Sequence, residues 1–529
     1  MFVFLNQMAL TVMGVVLFVG AHPGIILKNG LFLFGYLSLV PVFILVKKAS
    51  LKMLFLWGFL YGFLCYSLFA FWIFKYSPVL FFCAVSFYAV FFCVLFAFMK
   101  LCILSSAHEM LVMALIWCAC EYVRTLGPLG FSYGVMGYSQ WKNPLMLTLS
   151  SYCGVWGASC VCAFVAAFVA LLCINRKHLK NDVKTYCWYA GACFAFFAVL
   201  VACTVLKKDS EQKMIRVLSV QNNADSNKNG IGVYKKDIRT LSSLTDAAFS
   251  DSEAVDFVLW PETSVVPPVM YNYYNRVDYE RFNAIVDMLH VIARKDACFV
   301  IGNQHSEKNA DGLFADYNAA LVFDSRTQPV LPPSPEVYKK IHLVPFTEYV
   351  PKDFLRKISS VQSEWNAGSN YTVFTKRNLC FCTPICFEDT FGSMCRKFIL
   401  NGAECFFELS NDSWAQSSVC QRQHLSMAVF RSAENHVPAV RSSGSGISCY
   451  ITAWGKVGAN QIKEFSAESA VYSVAVPVNE KATVYTEFGD WLPVLELCIL
   501  IWICISKALG FMLKKNEKRN RICIWQKKK

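Results

Sequence analysis

Residues 186–221 read YCWYAGACFAFFAVLVACTVLKKDSEQKMIRVLSVQ, and the chain changes character inside them. As far as Leu206 the stretch is an apolar run of the length that crosses a hydrocarbon core of about 30 Å. After Lys207, Lys208 and a polar turn, MIRVLSVQ is a short β-branched run of the kind that forms a buried strand. The reading to either side of this junction separates a membrane part, residues 1–206, from a layered part, residues 207–490.

Upstream, apolar runs recur near 3–20, 25–46, 53–74, 78–99, 107–123 and 152–174, and one more lies downstream near 493–513. In a chain of 529 residues with 55% hydrophobic content and a mean hydropathy of +0.39, that series excludes an ordinary soluble protein. It predicts an α-helical transmembrane bundle of about eight helices, counting a C-terminal helix over 491–513. The first run lacks a basic leading region and a small-residue cleavage site, so it is expected to stay as a helix. Lys47, Lys48, Lys52, Lys100, Arg176, Lys177, Lys180 and Lys184 fall in loops on one side. The positive-inside rule makes that side the cytoplasm, together with a basic tail over 514–529. Residues 207–490 then face outward. Much of the net charge of +13 is thereby topological, and no nucleic-acid partner is expected.

Downstream, MIRVLSVQ, VDFVLW, CFVIGNQ, AALVFD, LCFCTPI, ECFFELS and VYSVAVPV read as strands. Residues 232–249, 279–295, 389–401 and 415–435 read as helices, the second with Phe282, Ile285, Val286, Leu289 and Ile292 on one face. Strands mixed with helices in this way predict a layered α/β domain. A proline-bearing loop around 327–336 leads to Lys340. The 24 cysteines follow no regular spacing, and the outward segment holds Cys298, Cys380, Cys382, Cys386, Cys395, Cys405, Cys420 and Cys449, some of which an oxidising compartment can pair. Cys380 and Cys382 lack the partner spacing of a zinc site, so neither a metal nor another cofactor is expected.

Glu262 follows VDFVLW, Cys386 follows LCFCTPI, and Lys340 lies on a loop between them. Each alone has a bland reading: a strand exit, a solvated lysine beside Lys339, a core thiol. Together they supply a nucleophilic acyl-transfer site. A thiol attacks an acyl carbon as thiolate, so it needs a base, which Glu262 provides. An ammonium such as Lys340 stabilises the oxyanion that forms, with a backbone N–H at Cys386 or Phe387. Glu121 and Arg124, at one end of an apolar run, are spaced to pair at i,i+3.

The words around these residues resemble the nitrilase superfamily, and the whole chain resembles the apolipoprotein N-acyltransferase family. They are WPE at 260–262, HLVPFTEYVP at 342–351, ICFED at 385–389, SNDSW at 410–414, QHLSMAVFRSAEN at 423–435, RSSGSGIS at 441–448 and FGDW at 488–491. WCACEYVR at 117–124, GFSYGVMGYSQ at 130–140 and GVWG at 154–157 extend the likeness into the membrane part. The resemblance implies an extracytoplasmic nitrilase-like αββα sandwich with Glu262, Lys340 and Cys386 as catalytic triad and Glu348 and Glu388 as supporting carboxylates. It implies a glycerophospholipid acyl donor, a diacylated apolipoprotein as acceptor, and a multi-pass position in the cell inner membrane with the sandwich in the periplasm. Phe387 stands where the family usually has Tyr, so a hydroxyl beside the nucleophile is lost. Thr347 replaces a Gly, Tyr133 a Trp, and Ala415-Gln416 a Phe-Gly pair; the Trp often found soon after the first strand has no counterpart. The same trio also suits a membrane-tethered carbon–nitrogen hydrolase, and a transporter or receptor with an inactive ectodomain is a third reading.

Overall fold

The computed structural model describes residues 1–529 apart from 104–108, 128, 175–182, 208–210, 226–227, 252–253, 277, 309–311, 351–364 and 527–529. The basic positions 176, 177 and 180 used for orientation lie outside the described residues.

The membrane part begins with α1 (Phe2–Ala21), α2 (Phe32–Leu37), α3 (Val40–Lys48), α4 (Leu51–Phe69), α5 (Trp72–Tyr76) and α6 (Pro78–Ile103). It continues with α7 (Glu109–Val123), α8 (Pro144–Cys153), α9 (Val155–Ile174) and α10 (Val183–Leu206). Among the described residues, α1, α4, α6, α9, α10 and the C-terminal helix are long and apolar enough to cross a membrane. Their outer faces stay apolar: Trp188 and Phe194 on α10 are largely exposed, as expected of side chains that lipid would cover. The run at 25–46 is not one helix but the pair α2 and α3. Ahead of α2, Gly30 makes a tight turn. It has φ +68°, and a Cβ there would sit 2.3 Å from the Ala21 carbonyl, so the chain can fold back tightly against the end of α1.

The layered part runs through β1 (Gln212–Gln221), α11 (Ile231–Asp251), β2 (Phe257–Val265), α12 (Val269–Asn275), α13 (Tyr279–Ala293), β3 (Cys298–Lys308), β4 (Phe314–Asp324) and β5 (Glu336–Lys339). It then passes through β6 (Phe374–Lys376), β7 (Leu379–Cys382), α14 (Gly392–Leu400), β8 (Cys405–Ser410), α15 (Ser418–Asn435), β9 (Ala439–Ser443), β10 (Cys449–Ile451) and β11 (Glu468–Pro477). Short α16 (Val484–Phe488) leads into α17 (Trp491–Gln526), so the helix expected over 491–513 continues through most of the basic tail.

Two mixed sheets form, in the orders β11-β1-β2-β3-β4-β5 and β10-β9-β8-β7-β6. Their inner faces meet through rings, with Phe257 5.5 Å from Phe381 and 5.1 Å from Phe407. The Ser442 hydroxyl reaches across to the Val220 and Leu259 carbonyls, each at 3.2 Å. Helices α11 and α13 cover the first sheet through Leu241, Ile285, Met288 and Leu289, all fully buried. Helices α14 and α15 cover the second. The result is the αββα sandwich beside a helical bundle.

Helix α15 is the joint between the two parts. Its Gln423 amide donates to the Pro23 and Phe69 carbonyls at 2.9 and 3.1 Å and accepts from the Trp72 indole at 2.9 Å. Glu434 accepts from the Val155 N–H at 3.0 Å while pairing with Arg431 at 2.8 Å. Every one of these groups is buried, and a buried polar group without its partner costs about 1–3 kcal/mol. The seam is therefore specific as well as apolar.

Candidate active site

Glu262 sits within β2, Lys340 directly after β5, and Cys386 shortly beyond β7. At Glu262 the register between β2 and β3 shifts between Trp260 and Val265, lifting Pro261 and Glu262 out of the ladder. Gly302 on β3 permits this, because a Cβ there would lie 2.1 Å from the Pro261 carbonyl oxygen. Lys340 follows β5, a four-residue edge strand paired to β4, with its N–H bonded to the Asn318 carbonyl at 2.8 Å. Cys386 opens a 3-10 turn and has φ +52°. A non-glycine residue in that region costs about 1–3 kcal/mol, which the surrounding contacts must hold in place.

The carboxylate side of the site is dry and tightly bonded. Lys340 Nζ lies 3.2 Å from Glu262 Oε1 and 2.9 Å from Glu348 Oε1. The Asn318 amide donates to the same two oxygens at 2.8 and 2.9 Å. Glu348 is fixed in turn by the Val344 N–H at 2.7 Å. All four side chains are buried. Burial works against the Lys340 ammonium, but Glu262 and Glu348 outweigh it and hold the lysine charged, well above its ordinary value. Burial also lifts the Glu262 carboxyl above the usual carboxylate range, with Lys340 opposing. The Cys386 thiol is pushed well up, first by burial and then by the Glu262 charge, with Lys340 again opposing. The Cys386 thiol is therefore held in its neutral form near a carboxylate and a charged lysine.

Glu388 has a clear structural position. Its carboxylate accepts from the Ile341 and His342 N–H groups at 2.7 and 3.1 Å, from Ile385 N–H at 2.8 Å and from the Tyr338 hydroxyl at 2.8 Å. It thus ties the lysine loop to the cysteine turn, and burial pushes its pKa up to about 7. Phe387 packs its ring 5.0 Å from Phe391 and 5.7 Å from His342, an apolar contact that leaves no hydroxyl at the nucleophile.

A second cluster, not assigned from the sequence, supports Cys386 from the other side. His424 Nε2 donates to Asp389 Oδ1 at 2.7 Å and to the Cys386 carbonyl at 3.2 Å, while Nδ1 faces Asp412 at 2.9 Å. Arg441 pairs with Asp389, lies 3.5 Å from Asp412 and donates to Glu408 at 3.4 Å. Burial alone would raise the two aspartates, but His424 and Arg441 keep both low, Asp412 at about 2. Burial and Arg441 oppose the charge on His424, yet the aspartates prevail and raise its pKa to about 10. The thiol, Asp412 and His424 bring potential ligand atoms within 4.8 Å of one another. With the imidazole committed to two aspartates and Arg441 alongside, that trio is a poor cation site. In the bundle, Cys118, Cys160 and Glu496 make another such grouping.

The membrane part closes the site from below. Trp72 on α5 meets Tyr133 at 5.4 Å and Trp414 at 5.7 Å, and Lys75 donates to the Gln416 carbonyl at 3.1 Å. The expected Glu121–Arg124 pair is absent among the described residues. Glu121 instead accepts from Met136 N–H at 2.9 Å and the Ser159 hydroxyl at 2.7 Å. Arg124 donates to the Tyr133 carbonyl and the Tyr66 hydroxyl, both at 2.9 Å. Both charges pin the 130–140 segment, because its turning backbone offers buried donors and acceptors that helix neighbours do not. The cysteines of the outward segment, Cys298, Cys380, Cys382, Cys386, Cys395, Cys405, Cys420 and Cys449, are all free thiols.

Comparison with known proteins places this geometry. Residues 13–168 match the family described as apolipoprotein N-acyltransferase N-terminal domain, and residues 230–480 match carbon-nitrogen hydrolase. The chain is 35% identical to apolipoprotein N-acyltransferase 1 of Treponema denticola, covering 97% of this chain and 98% of that protein. It is also 35% identical to apolipoprotein N-acyltransferase 1 of Treponema pallidum, covering 96% and 97%. A more distant relative, the apolipoprotein N-acyltransferase of Borreliella burgdorferi, is 22% identical over 94% of each chain. With such full-length likeness, the chain belongs to the apolipoprotein N-acyltransferase family, membrane acyltransferases with a carbon–nitrogen hydrolase domain, and not among transporters or receptors.

Proposed function

We propose that Cys386 carries an acyl chain between a membrane glycerophospholipid and the α-amine of an S-diacylglyceryl cysteine at the N-terminus of an apolipoprotein. The observation that carries this reading is the buried Lys340 ammonium held between Glu262 and Glu348, with its charge and that of Glu262 acting on the Cys386 thiol. In the first half-reaction Glu262 takes the thiol proton and sulfur attacks the ester carbonyl, forming a C–S bond. The oxyanion is stabilised by Lys340 and by backbone N–H groups of the Cys386 turn. The ester C–O bond then breaks, Glu262 returns the proton to the leaving oxygen, and a lysophospholipid departs. In the second, the lipoprotein amine attacks the thioester, Glu262 accepts a proton, the C–S bond breaks and an amide forms. Glu348 and Glu388 position the lysine and the cysteine turn and need not change protonation state.

The substrates argue for the location. Each CH₂ taken from lipid into water costs about 0.8 kcal/mol, so a site for acyl chains has to meet the bilayer. The positive-inside pattern puts the sandwich on the periplasmic face of the inner membrane, where both lipid substrates are anchored.

The test is to incubate the purified protein with a phospholipid labelled in one acyl chain, without acceptor. A labelled protein sensitive to neutral hydroxylamine, missing in Cys386→Ala and discharged by a diacylated lipopeptide, is the expected result. Ammonia release from a small amide, with no labelling of Cys386 by phospholipid and no transfer to the lipopeptide, would favour a membrane-tethered amidase instead.

A further inference from the structure

A cavity of about 760 Å³ opens at the seam between bundle and sandwich, and none of Glu262, Lys340 or Cys386 lines it. Its floor comes from the membrane part. Lys207 directly follows the spanning helix α10, Pro144 starts α8 just before the spanning helix α9, and Asn29 lies in the turn after α1. Its roof is the turn after β10, with Trp454 and Lys456, and the end of β11. Helix α15 separates it from the active site: Arg422 and Leu425 face the cavity, while His424, between them in sequence, reaches the Cys386 carbonyl.

The lining is cationic. Lys142, Lys207 and Lys456 line it with one acid, Glu480, which bonds the His436 ring at 3.2 Å, while the Arg422 guanidinium is paired with Glu464 and donates to Asn29 Oδ1 at 3.1 Å. Two of the lysines lie over tryptophan faces. Lys142 Nζ is 4.6 Å from the Trp141 ring and Lys207 Nζ is 4.2 Å from the Trp454 ring. Trp141 is fixed by its N–H bond to the Asn29 carbonyl at 3.1 Å. Burial and the Arg422 guanidinium both push Lys142 below the ordinary lysine value, as expected where like charges crowd. Tryptophan and lysine together at the ends of spanning helices mark the headgroup level of a bilayer, where basic residues attract anionic lipid.

We propose that this cavity binds the phosphate of an anionic phospholipid headgroup at a site separate from the thiol. The inference rests on the membrane reading of the helices and is independent of the chemistry at Cys386. The lipid's chains would lie along the bundle while its phosphate meets Lys142 and Lys207.

The experiment is native mass spectrometry of the full-length protein in detergent, titrated with phosphatidylglycerol, with phosphatidylcholine of the same chains, and with inorganic phosphate. Wild type and Cys386→Ala are expected to retain phosphatidylglycerol at least tenfold better than phosphatidylcholine. The double variant Lys142→Glu, Lys207→Glu should lose that retention at least tenfold, with thioester labelling at Cys386 within twofold of wild type. Equal retention of the two lipids by wild type would overturn the proposal whether or not the variant folds. So would undiminished retention by the double variant, or displacement of the lipid by inorganic phosphate at equal concentration. Failure of thioester labelling in wild type with lipid selectivity intact would count against the catalytic reading alone.

Discussion

Two buried charge clusters flank Cys386, and they differ in what their protons are free to do. On one side Glu262, Lys340 and Glu348 place two carboxylates on one ammonium, and burial leaves Glu262 easier to protonate than an ordinary glutamate. On the other, His424 and Arg441 face Asp389 and Asp412, with the acids driven down and the histidine driven up to about 10. The first arrangement has a group whose proton affinity can swing with the thiol's charge. In the second, His424 and the two aspartates are held away from neutral pH, and the group that burial lifts to about 7 is Glu408, on the far side of Arg441. Similar residue types therefore suit the base we propose in one place and a charged frame around His424 in the other, and what separates them is how closely the carboxylates are matched by cations.

The sharpest way to break that comparison is Glu262→Gln, which keeps the shape and removes the base. Thioester formation should fall about 10²- to 10⁴-fold, with folding retained; a loss below tenfold would move the base elsewhere. Arg441→Met should do the reverse. It strands Asp389, Asp412 and Glu408 around one imidazolium and should cost about 3–5 kcal/mol of stability in denaturant titration. Surviving folded enzyme should keep the wild-type pH profile; an altered acid limb would make this cluster part of the proton path.

Asn318→Ala is intermediate, since it removes the donor shared by Glu262 and Glu348. A loss of about 1–3 kcal/mol is expected, and the acid limb of acyl-enzyme formation should move to higher pH because Glu262 loses a bond to its ionised form. In wild type that limb should already lie above the ordinary carboxylate range, activity falling as pH drops through the raised Glu262 value. A limb centred near 4 would contradict it. Stability has its own pH signature. His424, raised from 6.5 to about 10, contributes stabilisation that is complete below 6.5 and is lost as pH rises towards 10. Glu388, raised from 4.5 to about 7, acts with the same sign between those values. The smallest effect belongs to Phe387→Tyr: within about 1 kcal/mol of stability and within threefold in rate, since the ring contacts with Phe391 and His342 can persist.

Legibility in the sequence followed local signals. The strands around Glu262 and Cys386 were readable from their β-branched and aromatic runs, and the flanking words singled out Glu262, Lys340 and Cys386, which the fold brings together. The four-residue strand β5 was not, because Glu336–Lys339 is too short to show a period; Lys340, read as a loop residue, does lie just outside it. Asn318 left one trace, a lone amide entering the apolar run AALVFD of β4. Asp389, Asp412, His424 and Arg441 lie in words that carry the family resemblance, but nothing in their spacing shows that they converge. Glu121 and Arg124 misled for the opposite reason: a favourable i,i+3 spacing said nothing of the folded-back 130–140 segment that claims both side chains.

Helix α15 has a practical consequence for anyone wishing to handle the sandwich without lipid. Cutting the chain at residue 207 would leave Gln423 without Pro23, Phe69 and Trp72, and Glu434 without Val155, while baring the apolar face that meets α8. The same helix holds the carbonyl of Cys386 through His424. A water-soluble version would thus be expected to aggregate or to lose the nucleophile's turn, and solubility would have to be designed into α15 residue by residue.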